Sequence, residues 1–238
     1  MNTLVRYELV NDVATLRMDD GKANVMSVAM LTALNDALDR AEQEARVVVL
    51  LGRAGTFSGG FDLTAFRRGG PEVLTMLEAG ERLCLRLLSY PLPVVAACTG
   101  HAIAMGAFIL LASDFRIGVD VGARFQINEV RIGMTVPHFA LEVCRNRLAP
   151  AQLHTATKLG VPFAPATALT AGFIDEVVPA SALAETVQHR CADLLTLNPT
   201  SFTATKRRLN APIIDAMTKA VNADIADWRA NGIGNRAC

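Results

Sequence analysis

Apolar and polar residues alternate at the start of the chain and give way to longer apolar runs further on. Leu4 to Leu9 and Val13 to Met18 alternate as half-buried strands do, and Asn11-Asp12 between them is a turn sequence, so a β-hairpin is predicted. Val47 to Leu51 and Val94 to Cys98 are unbroken apolar runs, which is typical of strands covered on both faces. The chain therefore opens with a hairpin and continues with buried strands.

Helical periodicity is found between these strands. Ser27 is a suitable N-cap for a helix whose apolar residues recur three or four positions apart, namely Leu31, Leu34, Leu38 and Ala41. A second amphipathic helix fits Glu72 to Leu88, and Gly52 to Gly60 before it is predicted to be a loop. Because strands and helices alternate, we expect an α/β architecture with short crossovers.

The stretch from Pro93 to Ala112 is apolar over about the length of a membrane span. It is entered through prolines and interrupted by Thr99-Gly100-His101, so we predict a buried strand, a turn and a buried helix that starts near Ala104-Met105-Gly106. No membrane association is expected. The first twenty residues carry charges and alternate in polarity, unlike a secretory signal, so we expect a cytoplasmic protein.

After Asn198-Pro199-Thr200 the chain offers no further strand candidate. Pro212 suits the first position of a helix, and apolar residues recur behind it at helical spacing, namely Ile214, Met217, Val221, Ile225 and Trp228. We therefore divide the chain into a core, residues 1–197, and a C-terminal helical region, residues 198–238. The apolar helix face needs cover from its own core or from a neighbouring subunit, and we expect a homo-oligomer.

Composition narrows the function. The 238 residues are 51% hydrophobic and 19% charged, which is enough to bury a sizeable core. Lys plus Arg and Asp plus Glu both total 23, so no excess positive charge is present for binding nucleic acid or an anionic membrane surface. The four histidines and five cysteines show no metal-ligand spacing, so no metal is expected. The cysteines are interpreted as small buried hydrophobic residues, namely Cys84, Cys98, Cys144, Cys191 and Cys238.

Two segments offer free backbone N–H groups. Gly59-Gly60, within Phe57 to Leu63, allows close approach of a ligand to the main chain, although an ordinary turn explains the pair as well. The buried helix start near Met105 presents unpaired N–H groups and the positive end of the helix dipole, although it fits a plain core helix equally. Neither segment decides a function alone.

Glu129 lies in a largely apolar stretch, where burial raises a carboxyl pKa toward the range of a general base. The alternative is an exposed glutamate paired with Arg131 or Arg124. Composition also leaves open a serine hydrolase built from Ser58, His101 and Asp62.

Together and in this order, these segments resemble the crotonase superfamily, the enoyl-CoA hydratase/isomerase family. The resemblance covers nearly the whole chain, from Gly21-Lys22-Ala23-Asn24 through Phe57 to Asp62 and Pro93 to Ala102, and ends with Ala171 to Val178. It implies a spiral of β-β-α turns with a C-terminal helical region that builds trimers or dimers of trimers. It also implies an acyl-CoA thioester substrate, so coenzyme A is part of the substrate, and no metal or redox cofactor.

The resemblance also assigns roles to residues. In the family two backbone N–H groups bind the thioester oxygen and stabilise an enolate, and they correspond here to Phe61 and Met105, although the family usually has glycine at the second position. Hydratases use two glutamates, of which the first falls at Phe108, which cannot move a proton. The second falls at Glu129, and Asn128 with it resembles the Asn-Glu segment of Δ3,Δ2-enoyl-CoA isomerases. The implied activity is therefore isomerisation of an unsaturated acyl-CoA in fatty-acid or related degradation.

Further substrate contacts are implied by the same resemblance. The backbone around Lys22, Ala23 and Val25 would meet the adenine end of the coenzyme, and Ser58, Gly60, Asp62 and Leu63 would line the entrance. Phe108 and Asn128 complete the predicted substrate-binding set, and Phe61, Met105, Phe108 and Phe139 suggest an apolar acyl pocket, although such residues are more often core. Lys206 and Arg207 fit either coenzyme phosphates or a solvated basic helix face. Two alternatives remain: an enoyl-CoA hydratase in which another group such as Glu142 replaces the missing glutamate, and an acyl-CoA-binding member with little catalysis.

Overall fold

The predicted hairpin is present in the computed structural model, which describes residues 3–120 and 122–231. Strands β1 (Val5–Val10) and β2 (Val13–Met18) pair antiparallel, and Asn11 and Asp12 both have positive φ, 49° and 63°. Two consecutive positive φ values are what a tight two-residue hairpin turn requires, and Asn and Asp tolerate them better than most residues.

Further strands and helices follow in alternation. The strands are β3 (Val47–Leu51), β4 (Gly55–Ser58), β5 (Val94–Cys98), β6 (Gly100–Ile103), β7 (Phe115–Val119), β8 (Phe125–Gln126) and β9 (Glu176–Val178). The helices are α1 (Val28–Glu44), α2 (Leu63–Arg68), α3 (Pro71–Ser89), α4 (Met105–Ala112), α5 (His138–Arg147), α6 (Pro150–Thr157), α7 (Pro165–Ala171), α8 (Leu183–Leu195) and α9 (Pro199–Asn231). Glu129–Ile132 and Ala180–Ala182 form short 3₁₀ helices.

The strands form two sheets. One has six strands in the order β1-β2-β3-β5-β7-β9 and is parallel beyond the β1–β2 hairpin; the other has the order β4-β6-β8 and is parallel throughout. Strand β3 is followed by β4 and then helices, and β5 is followed by β6 and then a helix, so successive turns add one strand to each sheet. This is the expected spiral of β-β-α turns, and the α/β prediction is confirmed.

The predicted helices α1 and α3 are confirmed. Ser27 caps α1 by accepting the N–H of Met30 at 3.2 Å, and α3 extends one residue beyond the prediction at each end. The interpretation of Gly52 to Gly60 as loop is wrong, because Gly55–Ser58 forms β4. This strand has no apolar pattern of its own and takes its order from pairing with β6, more than forty residues away in the sequence.

The C-terminal region is one long helix rather than a new helix at Pro212. Helix α9 begins at Pro199, where a missing N–H costs nothing, and the Asn198 side chain accepts the N–H of Ser201 at 3.0 Å. Pro212 therefore lies inside the helix, and the prediction for it is wrong. Met217 and Val221 are buried as α9 packs on α3 and α5, so the core covers part of the apolar face, and the predicted homo-oligomer stays a prediction.

The Ala171 to Val178 segment is held by a buried arginine. The side chain of Arg116 on β7 is 4% exposed and donates to both carboxylate oxygens of Asp175, at 2.5 and 2.8 Å, and to the carbonyl of Gly172 at 2.5 Å. The Arg116–Asp175 pair is thus an architectural joint: it ties strand β7 to the segment that leads into β9.

Other sequence expectations concern membranes and thiols. No helix within the described ranges is long and apolar enough to cross a membrane. Cys84, Cys98, Cys144 and Cys191 are free and buried, as predicted, and Cys238 lies outside the described residues.

Candidate active site

The small parallel sheet brings the three candidate segments to one edge. Strand β4 runs into Gly59-Gly60-Phe61, β6 into Ala104-Met105 and β8 into Asn128-Glu129. The strands pair in parallel, with Ile103 opposite Gln126, and the Ala104 N–H donates to the Gln126 carbonyl at 2.8 Å. Because carboxyl ends of parallel strands meet at the same edge, the geometry gathers segments that are far apart in sequence.

Two backbone N–H groups are free at this edge. A Cβ placed on Gly60 would lie 3.0 Å from the Cβ of Ala104 and 3.6 Å from the nitrogen of Met105, so the two segments are in close contact. Met105 opens α4, where the first N–H groups have no helical acceptor. Within residues 3–120 and 122–231, the N–H groups of Phe61 and Met105 donate to no protein acceptor. Both are available to an incoming oxygen.

Backbone strain directs one of these donors. Ala104, the residue before α4, has φ 49° and ψ −119°, a backbone conformation that residues other than glycine rarely adopt. Such outliers cost about 1–3 kcal/mol and persist where the surroundings impose them, commonly at functional sites. Here the strained residue turns the chain from β6 into α4 and so aims the Met105 N–H.

The Lys22 to Val25 loop packs against the double glycine. The Asp20 carboxylate accepts the N–H groups of Lys22, Asn24 and Val25 at 2.7 to 2.9 Å, which fixes the loop. The Gly59 N–H then donates to the Ala23 carbonyl at 2.8 Å. The loop predicted to meet the coenzyme thus lies against the double glycine, although Asp20, which fixes this loop, was missed by the sequence reasoning.

The neighbouring polar side chains do not form a hydrolase triad. Ser58 is fully buried and its hydroxyl donates to the Asn24 carbonyl at 2.8 Å, so it supports the loop rather than facing a ligand. Asp62 caps α2 by accepting the N–H of Thr64 at 2.8 Å, and Leu63 after it is half exposed. His101 is exposed. The serine hydrolase alternative is therefore wrong.

Glu129 is a buried carboxyl with one oxygen free of hydrogen bonds from the described residues. It is 6% exposed, and among the described residues its Oε2 atom and the neighbouring Asn128 Oδ1 atom have no hydrogen-bond partner. Burial raises the pKa of Glu129 to about 7, which is suitable for taking up and releasing a proton near neutral pH. The exposed ion-pair alternative is wrong, because Arg131 instead donates to the Gly160 carbonyl at 2.6 Å.

An aromatic ring occupies the position that the family resemblance matches to the first glutamate of hydratases. Phe108 on α4 is buried, and its ring meets that of Phe139 edge-on at 5.4 Å with an interplanar angle of 81°. Glu142, the suggested substitute acid, pairs with Arg145 on the surface of α5. Neither residue supplies a buried second carboxylate.

The Phe61 ring fits into a notch on α3. A Cβ on Gly80 would lie 2.5 Å from Cε1 and 2.6 Å from Cζ of Phe61, and 3.3 Å from the terminal methyl of Met105. Gly80 therefore leaves room for the side chains of both candidate donors. Sequence reasoning missed this residue, and its one signal was a glycine inside a helical pattern.

Lys206 corrects an interpretation made from sequence. Its side chain is 5% exposed, and its ammonium donates to Asp114 at 2.6 Å, so it is neither on a solvated face nor free for a phosphate. The apolar spacing of α9 could not reveal this, because Asp114 lies 92 residues away.

A cavity of about 670 Å³ lies elsewhere, between the large sheet and α8. It reaches Gly55 and Thr99, at the amino ends of β4 and β6, whereas the candidate site lies at their carboxyl ends.

Among the described residues no cluster of three or more His, Cys, Asp or Glu could hold a metal.

The spiral fold, with a buried carboxyl and free N–H groups at the edge of its small sheet, defines a crotonase-type protein. A sequence profile described as enoyl-CoA hydratase/isomerase matches residues 8–230, and the chain belongs to this family. The recognition of the crotonase superfamily from sequence is thereby confirmed.

Solved structures agree on the fold and differ in the activity they name. A probable enoyl-CoA hydratase, EchA3 from Mycobacterium tuberculosis, is 40% identical with a TM-score of 0.92, over 95% of this chain and 96% of that one. Another structure of that mycobacterial protein is described as an enoyl-CoA isomerase, with 42% identity, a TM-score of 0.88, and coverage of 97% and 99%. Human mitochondrial Δ3-Δ2-enoyl-CoA isomerase is 26% identical with a TM-score of 0.90, over 95% and 91%.

Proposed function

We propose that the protein is a Δ3,Δ2-enoyl-CoA isomerase that works with one carboxylate. The observation that carries the proposal is Glu129, a buried acid whose Oε2 atom has no partner among the described residues, at the same sheet edge as two free N–H groups, with Phe108 in place of a second glutamate. The N–H groups of Phe61 and Met105 form the oxyanion hole. The alternatives are an enoyl-CoA hydratase and an acyl-CoA-binding member with little catalysis.

The reaction needs one proton acceptor. The thioester oxygen accepts both N–H groups, and the Glu129 carboxylate takes a proton from C2, so the C2–H electrons form a dienolate conjugated with the C3–C4 double bond. The protonated Glu129 then returns the proton to C4, and the double bond ends between C2 and C3. No atom is gained or lost, and water takes no part.

The two N–H groups would stabilise the developing negative charge. A donor aimed at an oxyanion is worth roughly 3 kcal/mol, so the pair supplies on the order of 6 kcal/mol of barrier reduction. The Met105 donor also lies at the positive end of the α4 dipole, which favours the same charge.

Other parts of the proposal concern the substrate and the assembly. Lys22, Ala23 and Val25 would meet the coenzyme, and Phe108 the acyl chain, with Asp62 and Leu63 at the entrance. No metal or redox cofactor enters the reaction. We also propose a cytoplasmic homotrimer or hexamer built through the C-terminal helical region.

The proposal is tested by giving the purified protein a 3-enoyl-CoA and following the conjugated 2-enoyl thioester by its ultraviolet absorbance. We expect catalytic turnover. Tight binding of the thioester without turnover would favour the acyl-CoA-binding alternative and overturn the assignment of Glu129 as a base.

The rate should depend on pH through Glu129. Burial raises the pKa of Glu129 from its ordinary value of 4.5 to about 7. The carboxyl is therefore protonated and inactive below that pH and ionised above it. We expect kcat/KM to rise with pH and level off with a midpoint near 7. A profile that stays flat down to pH 4.5, the ordinary pKa of a glutamate, would contradict a base whose pKa is raised by burial. Binding of a saturated acyl-CoA, measured over the same pH range, serves as the control.

Gly80→Ala should slow the reaction by moving the Phe61 ring. The new methyl would overlap Cε1 and Cζ of that ring, and a small displacement of a positioning group costs roughly tenfold or more in rate. The double variant Gly80→Ala with Phe61→Leu should regain most of the loss, because the shorter side chain vacates the notch. If the second substitution brings no recovery, the slowing has another cause. The measurement is kcat for each variant at saturating substrate.

A further inference from the structure

Three helices meet at a buried acid that the proposed reaction does not use. Glu81 on α3 is fully buried, and within the described part of the chain no N–H or hydroxyl group donates a hydrogen bond to either carboxyl oxygen. Leu77 and Cys84, its neighbours on that helix face, are apolar and buried as packing requires. A buried carboxyl that receives no hydrogen bond is unfavourable, so its presence needs a specific cause.

Asp224 on α9 is the acid that faces Glu81 in this junction, and a side-chain hydrogen bond joins the two carboxyl groups. It is 4% exposed, and its carboxylate oxygens accept the N–H groups of His138 and Phe139, each at 2.9 Å. Helix α5 begins at His138 after Pro137, which has no side-chain group to cap it. A carboxylate from the C-terminal helix therefore caps α5.

The charges around Glu81 favour its neutral form. Burial, followed by the negative charges of Asp224 and Glu78, raises the pKa of Glu81 to about 10, and Arg82 opposes this only in part. At neutral pH Glu81 therefore carries a proton.

The charges around Asp224 act in both directions. Burial and the nearby Asp227 raise the pKa of Asp224, whereas the N–H groups of Phe139 and His138 and the charge of His138 lower it. Helix N-termini favour a negative charge, so the charge of the pair resides on Asp224 and the proton on Glu81.

The capped end of α5 carries one ring of the Phe108–Phe139 pair. Phe139 follows the first residue of α5 and packs edge-on against Phe108 of α4, and both rings are fully buried. Any shift of the cap moves this ring pair.

We propose that Glu81 is a positioning residue for the acyl end of the site: its carboxyl shares its proton with Asp224, which keeps the capping carboxylate in place and holds Phe139 against Phe108. The inference rests on the proposed function only in treating this ring pair as the acyl wall. A long acyl chain that reaches the wall then depends on Glu81, and a short one does not.

The shared proton has a spectroscopic signature. The pKa is about 7 for Glu129 and about 10 for Glu81, so at a pH between these two values Glu129 is ionised and Glu81 is not. We expect an infrared carbonyl band of a protonated carboxylic acid in the native protein, and its loss in Glu81→Gln. Absence of the band, or its persistence in the variant, would overturn the proposal.

The positioning role is measured by binding of two non-reacting thioesters, decanoyl-CoA and butyryl-CoA, by calorimetry. Glu81→Leu should weaken the binding of decanoyl-CoA about tenfold, which corresponds to losing the contact of about two methylene groups. The binding of butyryl-CoA should change by no more than about twofold. Glu81→Gln, which keeps an N–H donor for Asp224, should bind both as the native protein does. Equal losses for both thioesters in Glu81→Leu, or no loss for either, would overturn the positioning role.

Both readouts are independent of turnover. Failure of the isomerase assay with the band and the chain-length effect intact would therefore count against the proposed function alone. An active isomerase without them would count against Glu81 alone.

Discussion

Glu129→Gln should abolish isomerisation while leaving acyl-CoA binding intact. The amide has nearly the same shape and cannot accept a proton from C2, and loss of a general base costs about 100- to 10,000-fold in rate. Glu129 is nearly fully buried, and its Oε2 atom has no protein partner in the described ranges, so the substitution breaks no ion pair there. The measurement is kcat on a 3-enoyl-CoA, with calorimetric binding of a saturated acyl-CoA beside it.

Glu142→Gln is the matched control. Glu142 lies on α5 and pairs with Arg145 at the surface, so its removal should leave kcat almost unchanged. A Glu129→Gln protein that keeps most of its activity, or a Glu142→Gln protein that loses it, would show that the base has been assigned to the wrong residue.

Asp175→Ala should produce the largest loss of stability. Arg116 is buried and donates two hydrogen bonds to this carboxylate, so removing Asp175 leaves a charged guanidinium with only the Gly172 carbonyl. Breaking a buried pair in this way costs about 3–5 kcal/mol. For a chain of this size the thermal midpoint should fall by roughly 10 °C, as measured by circular dichroism.

An exposed ion pair gives the comparison for Asp175. Arg68 and Glu72 lie 3.2 Å apart with both side chains more than half exposed, and solvent screens such pairs. Glu72→Gln should leave the midpoint nearly unchanged. A fall in Asp175→Ala no larger than in Glu72→Gln would contradict the architectural role given to the Arg116–Asp175 joint.

Much of the fold was predictable because local signals and tertiary structure agree. The Asn11-Asp12 turn, the Ser27 cap and the apolar run of β3 each specify an element within a few residues of sequence. The acid Glu129 was also identifiable as a candidate, because a carboxyl in an apolar stretch is unusual. Which of its two interpretations holds required the burial that the fold provides.

What sequence could not provide are partners that lie far along the chain. The pair of Lys206 with Asp114 and the cap of α5 by Asp224 join residues about 90 positions apart. Strand β4 is ordered by β6 rather than by its own pattern, and Gly80 has its meaning only beside Phe61. Such contacts follow from the spiral and are absent from local periodicity.

The most direct test of the one-carboxylate account compares two substrates with the unmodified protein. A 3-enoyl-CoA and a 2-enoyl-CoA of the same chain length are incubated separately, and the products are separated by chromatography. The account predicts that the 3-enoyl thioester is converted to its 2-enoyl isomer and that the 2-enoyl thioester takes up almost no water, because Phe108 cannot activate it. Brisk hydration of the 2-enoyl thioester would contradict the account and require a second acid in the site.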